Sequence, residues 1–329
     1  MSAAVKSSRS RRPWPQGARR VPVGVLREYG IVASFIVLFV TLSVASDNFL
    51  TRSNLENILS QQSPTLIVAA AGTLVIVAGG FDLSVGAIVA LAGIVTAKVV
   101  GAADPWLGVA AGLATGAALG LGNGIITTAG RVSPLIGTLS TTFLIRGGAV
   151  LVTAGGLVTI VDPSFATLGQ GEIFGVQVSI VVMAATVGLL AFLLAATTYG
   201  RGIYAVGGNR EAARLAGIRV EIIRASTFVL SGLAAGLAGA ILASRVATAQ
   251  AETAVGLEFT VLAGIVVGGT SIQGGAGAVW RTVLGVLFIA MINNGFTLLG
   301  LDPIYQQIVQ GAIILAAVAV DAWSRPAAA

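Results

Sequence analysis

Ten apolar runs, each long enough to cross the hydrocarbon core of a bilayer as a helix, succeed one another along this chain of 329 residues. A spanning helix needs about 20 mainly apolar residues. The runs fall near 28–46, 64–81, 84–101, 106–129, 134–153, 176–197, 222–244, 259–275, 279–299 and 304–322, separated by polar or glycine-rich breaks. They predict an all-α polytopic membrane protein with about ten transmembrane helices, some of them interrupted. With 56% hydrophobic and 10% charged residues, the chain has the balance of a protein whose solvent is mostly lipid.

Chemistry is narrowed by what is missing. There is no cysteine and no histidine, so thiolate metal sites, disulfides, cysteine nucleophiles and histidine acid/base catalysis are excluded. The only lysines are Lys6 and Lys98, and neither follows a glycine. A phosphate-binding loop of the GxxxxGK[ST] type therefore does not exist here. A net charge of +6 would suit nucleic acid, but the basic residues flank apolar spans, so no nucleic-acid partner is expected.

Charge sets the orientation. With the N-terminal cluster Lys6, Arg9, Arg11, Arg12, Arg19 and Arg20 inside, the same side receives Arg131, Arg201, Arg210, Arg214, Arg219, Arg224, Arg281 and Arg325. The opposite side receives most of the acids, and both termini are expected in the cytoplasm. Residues 1–27 read as a basic cytoplasmic tail. Residues 28–323 read as the membrane domain, including a cytoplasmic segment at 200–221, and 324–329 as a second short tail. Ser43-Val44-Ala45 resembles a cleavage site, but the long run before it reads as a retained anchor.

Small residues crowd the fourth run, Gly108 through Gly124, at spacings that let helices approach closely. They serve either packing within one subunit or a dimer face. An internal echo is also visible. Gly79-Gly80-Phe81-Asp82-Leu83-Ser84-Val85-Gly86-Ala87 reappears as Gly268-Gly269-Thr270-Ser271-Ile272-Gln273-Gly274-Gly275-Ala276, each time after a β-branched apolar run. Paired breaks of this kind are a transporter feature, and freed backbone groups must then face protein or a water-filled path. Asp82 and Arg146 are two ionisable residues placed within the apolar region, and a charge at bilayer depth requires a partner. Each either pairs structurally or meets the transported solute. Asn123, Asn293 and Asn294, like Ser84, Thr270 and Ser271, either bind a hydroxylated solute or join helices to one another.

One polar stretch has a different character. In Gly208-Asn209-Arg210-Glu211-Ala212-Ala213-Arg214-Leu215-Ala216-Gly217, Asn209 is placed to cap a helix and Glu211 suits the positive end of its dipole. Gly217 is a natural stop. Only about two turns result, too short to persist alone in water. Held between two spans, such a helix is suited to docking.

Together these stretches, with Asn48-Phe49-Leu50-Thr51 and Asn293-Asn294-Gly295, closely resemble ribose-type permeases, the membrane subunits of bacterial ATP-binding-cassette (ABC) sugar importers. The resemblance spans about 25–325. Phe81 stands where such permeases usually carry Ile, and Gly208-Asn209-Arg210 where they often have Asn-Asn or Gly-Asn before the Glu. It implies a subunit of the bacterial cytoplasmic membrane that pairs with a second copy or a paralogue around a solute path. It further implies an extracytoplasmic sugar-binding protein and a separate ABC ATPase that binds ATP and Mg, with no cofactor in this chain. Residues 208–217 then resemble the coupling helix. The competing reading, a stand-alone secondary transporter, would have Asp82 titrate or bind a cation.

Overall fold

The computed structural model describes residues 23–302 and 304–323. The tail cluster from Lys6 to Arg20 and the terminal segment 324–329 lie outside the described residues. Thirteen α-helices form among those described: α1 (Val23–Ala45), α2 (Arg52–Val77), α3 (Val85–Val100), α4 (Pro105–Thr128), α5 (Pro134–Thr153), α6 (Ala166–Gln170), α7 (Val178–Ala196), α8 (Thr198–Gly208), α9 (Arg210–Leu215), α10 (Val220–Val246), α11 (Leu257–Val267), α12 (Val279–Leu298) and α13 (Ile304–Trp323). Six of them, α2, α4, α5, α7, α10 and α12, are long and apolar enough to cross a membrane. The stretch Gly30–Ala45 of α1, together with α3 and α11, is apolar but shorter.

Several boundaries depart from the sequence expectation. The first helix already holds residues 23–27, which the tail was expected to include. Helix α2 begins at Arg52, well before 64. Its opening turns carry Asn54, Glu56, Ser60, Gln61 and Gln62, so hydropathy reads them as a break, but Thr51 caps the start by accepting from Asn54 N at 3.3 Å. Pro64 lies within this helix and has no N–H for the carbonyl of Ser60. The guanidinium of Arg245, at the far end of α10, donates to that carbonyl instead. Helix α11 stops at Val267, not 275, because its apolar run continues into a turn at Gly268 and Gly269.

Helix α2 is the centre of the bundle, buried along most of its length and packed against α7, α10, α11 and α12. A helix apolar on every face is stable only when surrounded. A buried hydroxyl link to α12 joins Thr73 Oγ1 and Thr282 Oγ1 at 2.8 Å. Interhelical bonds of this kind contribute on the order of 0.6 kcal/mol. Thr73→Val should therefore lower the melting temperature of the purified chain only slightly, and a drop of ten degrees would show that α2 and α12 depend on this bond far more than packing predicts.

Lipid supplies little apolar drive between helices, so close packing must replace it. The glycines of α4 meet that need inside this one chain. A Cβ on Gly116 would lie 2.1 Å from the carbonyl oxygen of Gly232 in α10, and one on Gly232 would lie 2.1 Å from that of Gly116. Of the two uses open to the Gly108–Gly124 stripe, the structure realises packing within one subunit, against α3 and α10.

The connections gather at two ends of the bundle. At one end, Arg52 donates to Gly175 O at 2.6 Å, and Val158–Thr159 (β1) pairs antiparallel with Thr248–Ala249 (β4). A two-residue hairpin at the same end, Glu172–Ile173 (β2) with Val176–Gln177 (β3), turns on Phe174 and Gly175, both at positive φ. None of this small structure was expected from sequence. The other end holds α8, α9, the 129–133 turn and the segments 78–84 and 268–278.

Candidate coupling surface and broken-helix core

The polar stretch at 208–217 forms one short helix, α9, entered directly from a separate helix, α8. Thr197 Oγ1 caps α8, which continues to Gly208, and Asn209 then leaves the helical conformation at φ −157°. Its Oδ1 accepts from Ala212 N at 2.9 Å and so starts α9. The stop is equally local. Gly217 takes φ +80°, its N–H donates to Arg214 O at 3.0 Å, and Ile218 N donates to Ala213 O at 3.0 Å. This is a Schellman stop, with glycine at the left-handed position.

The faces of α9 differ from a simple alanine surface. Ala213 is buried with Val206 and Val220, so it anchors the helix to α8 and α10. Leu215 is 82% exposed and is the apolar knob that α9 presents. Around it lie Gly208, Asn209, Arg210, Glu211, Ala212, Arg214 and Gly217, all exposed. Arg214 bridges Glu211 at 3.6 Å and also donates to Glu221. The like charges Arg210 and Arg214, unfavourable at i, i+4, are thus answered on the Arg214 side by two carboxylates.

Both breaks use the stop seen in α9. At the end of α2, Gly79 N donates to Ile76 O and Gly80 N to Val75 O, each at 2.9 Å, with Gly79 at φ +76°. At the end of α11, Gly269 N donates to Val266 O at 2.8 Å and Thr270 N to Ile265 O at 3.2 Å, with Gly269 at φ +79°. The structural register therefore pairs Gly79 with Gly269, one residue on from the alignment read in the sequence. The second break is also the longer of the two.

The end of α8 lies between these breaks. Gly275 N donates to Val77 O at 2.9 Å, which ties the second break to the last turn of α2. A Cβ on Gly207 would fall 1.7 Å from that same Val77 oxygen and 2.6 Å from Gly275 N. Arg210 Nη2 donates to Gly79 O at 2.7 Å, and Tyr204 Oη donates to Gly277 O at 2.7 Å. Burial pushes the Tyr204 phenol above its ordinary pKa. Helices α8 and α9 thus hold the backbone of both breaks directly. Sequence reasoning named the glycines but not this junction, since nothing local indicates that distant glycines meet.

In the first break, Asp82, Ser84 and Asn123 come together. Asp82 Oδ1 accepts from Ser84 N at 3.1 Å and Ser84 Oγ at 2.6 Å, and Oδ2 accepts from Ser231 Oγ of α10 at 2.8 Å. Asn123 Nδ2 of α4 donates to Ser84 Oγ at 2.7 Å. From α5, Thr138 Oγ1 accepts from Leu83 N at 3.0 Å, and Thr142 Oγ1 donates to Leu83 O at 3.0 Å. At Leu83 both backbone groups of the break are thus satisfied by protein. Ser231, Thr138 and Thr142 were missed by sequence reasoning. Their one signal was a hydroxyl inside an apolar run.

Arg146 does not join this network. Its Nη1 donates to the carbonyls of Ala251 and, at 2.7 Å, Thr253 in the loop after α10. Glu258 at the start of α11 acts on it electrostatically. Glu258 and Asp82 both line a cavity of about 20 Å³ between α2, the first break and α11, room for one water. Thr270 and Ser271 are buried in the second break. Asn294 pairs reciprocally with Asn54 of α2, Nδ2 to Oδ1 at 2.8 Å and 3.2 Å, at the opposite end of the bundle, while Asn293 contributes its carbonyl to Thr297 at 3.2 Å. The predicted path residues therefore fall into separate groups.

A multi-pass helical membrane protein, with two interrupted helix pairs joined to a short exposed helix at one end, belongs to the class of membrane permeases. Comparison with known proteins gives the family: residues 54–318 match the one described as branched-chain amino acid transport system / permease component, and the chain belongs to it. It is similar to the L-arabinose transport system permease protein AraH of Escherichia coli (strain K12), at 39% identity over 91% of this chain and 92% of that protein. Similarity to the ribose import permease protein RbsC of the same organism is 40%, covering 93% and 97%. The ribose import permease protein RbsC of Bacillus subtilis (strain 168) is 38% identical, covering 91% and 94%. No solved structure matches. As an ABC permease component the chain is a non-catalytic transporter subunit.

Proposed function

We propose that the chain forms, with a second copy or a paralogue, the path by which a sugar or sugar-like solute enters the bacterial cytoplasm. Ten passes place both termini and the α8–α9 end of the bundle in the cytoplasm, where the arginines gather. A separate ABC ATPase, which binds the ATP and Mg, docks on α9 through Leu215 and its polar rim. An extracytoplasmic binding protein delivers the solute to the opposite end. The sugar class is supported by the arabinose and ribose permeases, similar over nine-tenths of the chain. The single observation that carries the coupling role is the junction of α8 and α9 with both breaks through Gly207, Arg210 and Tyr204. Movement of α9 is thereby transmitted to the ends of α2 and α11, two packings of which constitute alternating access. Asp82 is better read as holding the first break than as the cation site of a secondary transporter, because both of its oxygens accept from hydroxyls.

The test uses a cysteine at Leu215, convenient because the native chain has none. Ala213 is unsuitable, being buried. Leu215→Cys should crosslink to the ATPase subunit in membranes, with a yield that changes on adding nucleotide. Labelling of this cysteine from the extracytoplasmic face by an impermeant reagent, with no crosslink, would overturn the assignment. Leu215→Ala should lower uptake about threefold at unchanged membrane abundance, as truncating one exposed apolar anchor of an interface does.

A further inference from the structure

The 129–133 turn, α9 and the first turns of α10 line a cavity of about 410 Å³, two of whose arginines, Arg131 and Arg224, have no part in the preceding roles. Four guanidinium groups line it, those of Arg131, Arg210, Arg214 and Arg224, against one carboxylate, Glu221, which is already bound to Arg214. Arg224 forms its base. That residue is only 8% exposed, and its Nε has no hydrogen-bond partner. A buried guanidinium nitrogen without an acceptor is costly, and Glu221, the carboxylate acting electrostatically on Arg224, is shared with Arg214. The backbone adds to the field at α5, which begins at this cavity with no side-chain cap on its first N–H groups, whereas at the start of α10 Val220 N already donates to Ile218 O at 2.9 Å.

We infer that this cavity is a binding site for a phosphate-class oxyanion, held by Arg131, Arg210 and Arg224. Guanidinium forks match the oxygens of phosphate in two-point contacts. The volume lies in the range of small-molecule sites, so it accommodates either a free phosphate or the head group of an anionic phospholipid. Bound there, the anion would join the α4–α5 turn to Arg210, which also donates to Gly79 O in the first break. Occupancy would therefore stiffen the connection between α9 and the broken helices.

The test follows thermal unfolding of the full chain in phosphatidylcholine nanodiscs, titrated with inorganic phosphate against sodium chloride at equal ionic strength. A saturable rise in melting temperature with phosphate alone is expected, with at least about tenfold weaker half-saturation in Arg131→Gln, whose exposed side chain is not needed for folding, and no response in Arg224→Gln. If phosphate is silent but nanodiscs containing phosphatidylglycerol stabilise the wild type over both variants, the anion is the lipid head group. Equal effects of phosphate and chloride, or equal responses in wild type and both variants, would overturn the site. So would stabilisation of wild type over Arg224→Gln by the ATPase subunit alone, which would give the cavity to a partner's carboxylate.

Discussion

Gly207→Ala should reduce solute uptake by at least about tenfold, while Gly208→Ala, the same change one residue on, should leave it near the wild-type rate. A methyl group on Gly208 meets nothing within 4 Å, whereas one on Gly207 would lie 1.7 Å from Val77 O. The obstacle is backbone on both sides, Val77 O and Gly275 N, so no rotamer relieves it. Either α8 withdraws from the junction or the Gly275–Val77 hydrogen bond opens. Overpacking costs about 1–3 kcal/mol and a lost buried hydrogen bond about 1 kcal/mol more. At 1.4 kcal/mol for each factor of ten, that penalty is enough to depopulate the packing in which α8 engages both breaks. Uptake normalised to membrane abundance, measured beside ATP hydrolysis by the assembled transporter, separates two causes of loss. Hydrolysis without uptake is the expected result and means a disconnected lever. Wild-type uptake by Gly207→Ala would show that α8 need not sit between the breaks for transport to occur.

The contrast between adjacent glycines shows how far sequence reading reaches. The limits of α9 were legible because Asn209 and Gly217 act within three or four residues of themselves, and a capping bond needs no distant partner. The two breaks were legible for the same reason, each being a left-handed glycine at the end of an apolar run. Their exact pairing was not, because glycine pairs repeat and only φ distinguishes Gly269 from Gly268. The start of α2 was hidden by polarity that its environment satisfies, as in the Asn54 pair with Asn294. The bond of Arg245 to Ser60 O, the carbonyl that Pro64 leaves without an N–H, is visible only once α10 lies beside α2. In each miss a residue's partner lies far away in the chain. The expected partnership of intramembrane charges illustrates this too: Asp82 and Arg146 each have partners, but not one another.

Asp82→Ala should fail through assembly and not through altered solute preference. Its carboxyl accepts three hydrogen bonds: from Ser84 N, from Ser84 Oγ, and from Ser231 Oγ across the interface with α10. Alanine leaves these donors without the carboxylate acceptor, Ser84 and Ser231 are fully buried, and the cavity beside residue 82 has room for one water against three donated hydrogen bonds. Stranding buried donors costs about 1–3 kcal/mol each, a large share of the 5–15 kcal/mol by which a typical domain is stable. The expected result is a melting temperature lower by ten degrees or more and a membrane abundance several-fold below wild type, an estimate that follows from those penalties. Asp82→Asn is the discriminating companion, because its carbonyl oxygen can still accept from Ser84 while its amide faces Ser231, whose hydroxyl can accept as well as donate. That variant should recover most of the stability, and the solute preference of the molecules that assemble should match wild type. The opposite pattern, wild-type stability with a changed preference between pentoses and hexoses in both variants, would move Asp82 from the support of the first break to the wall of the solute path.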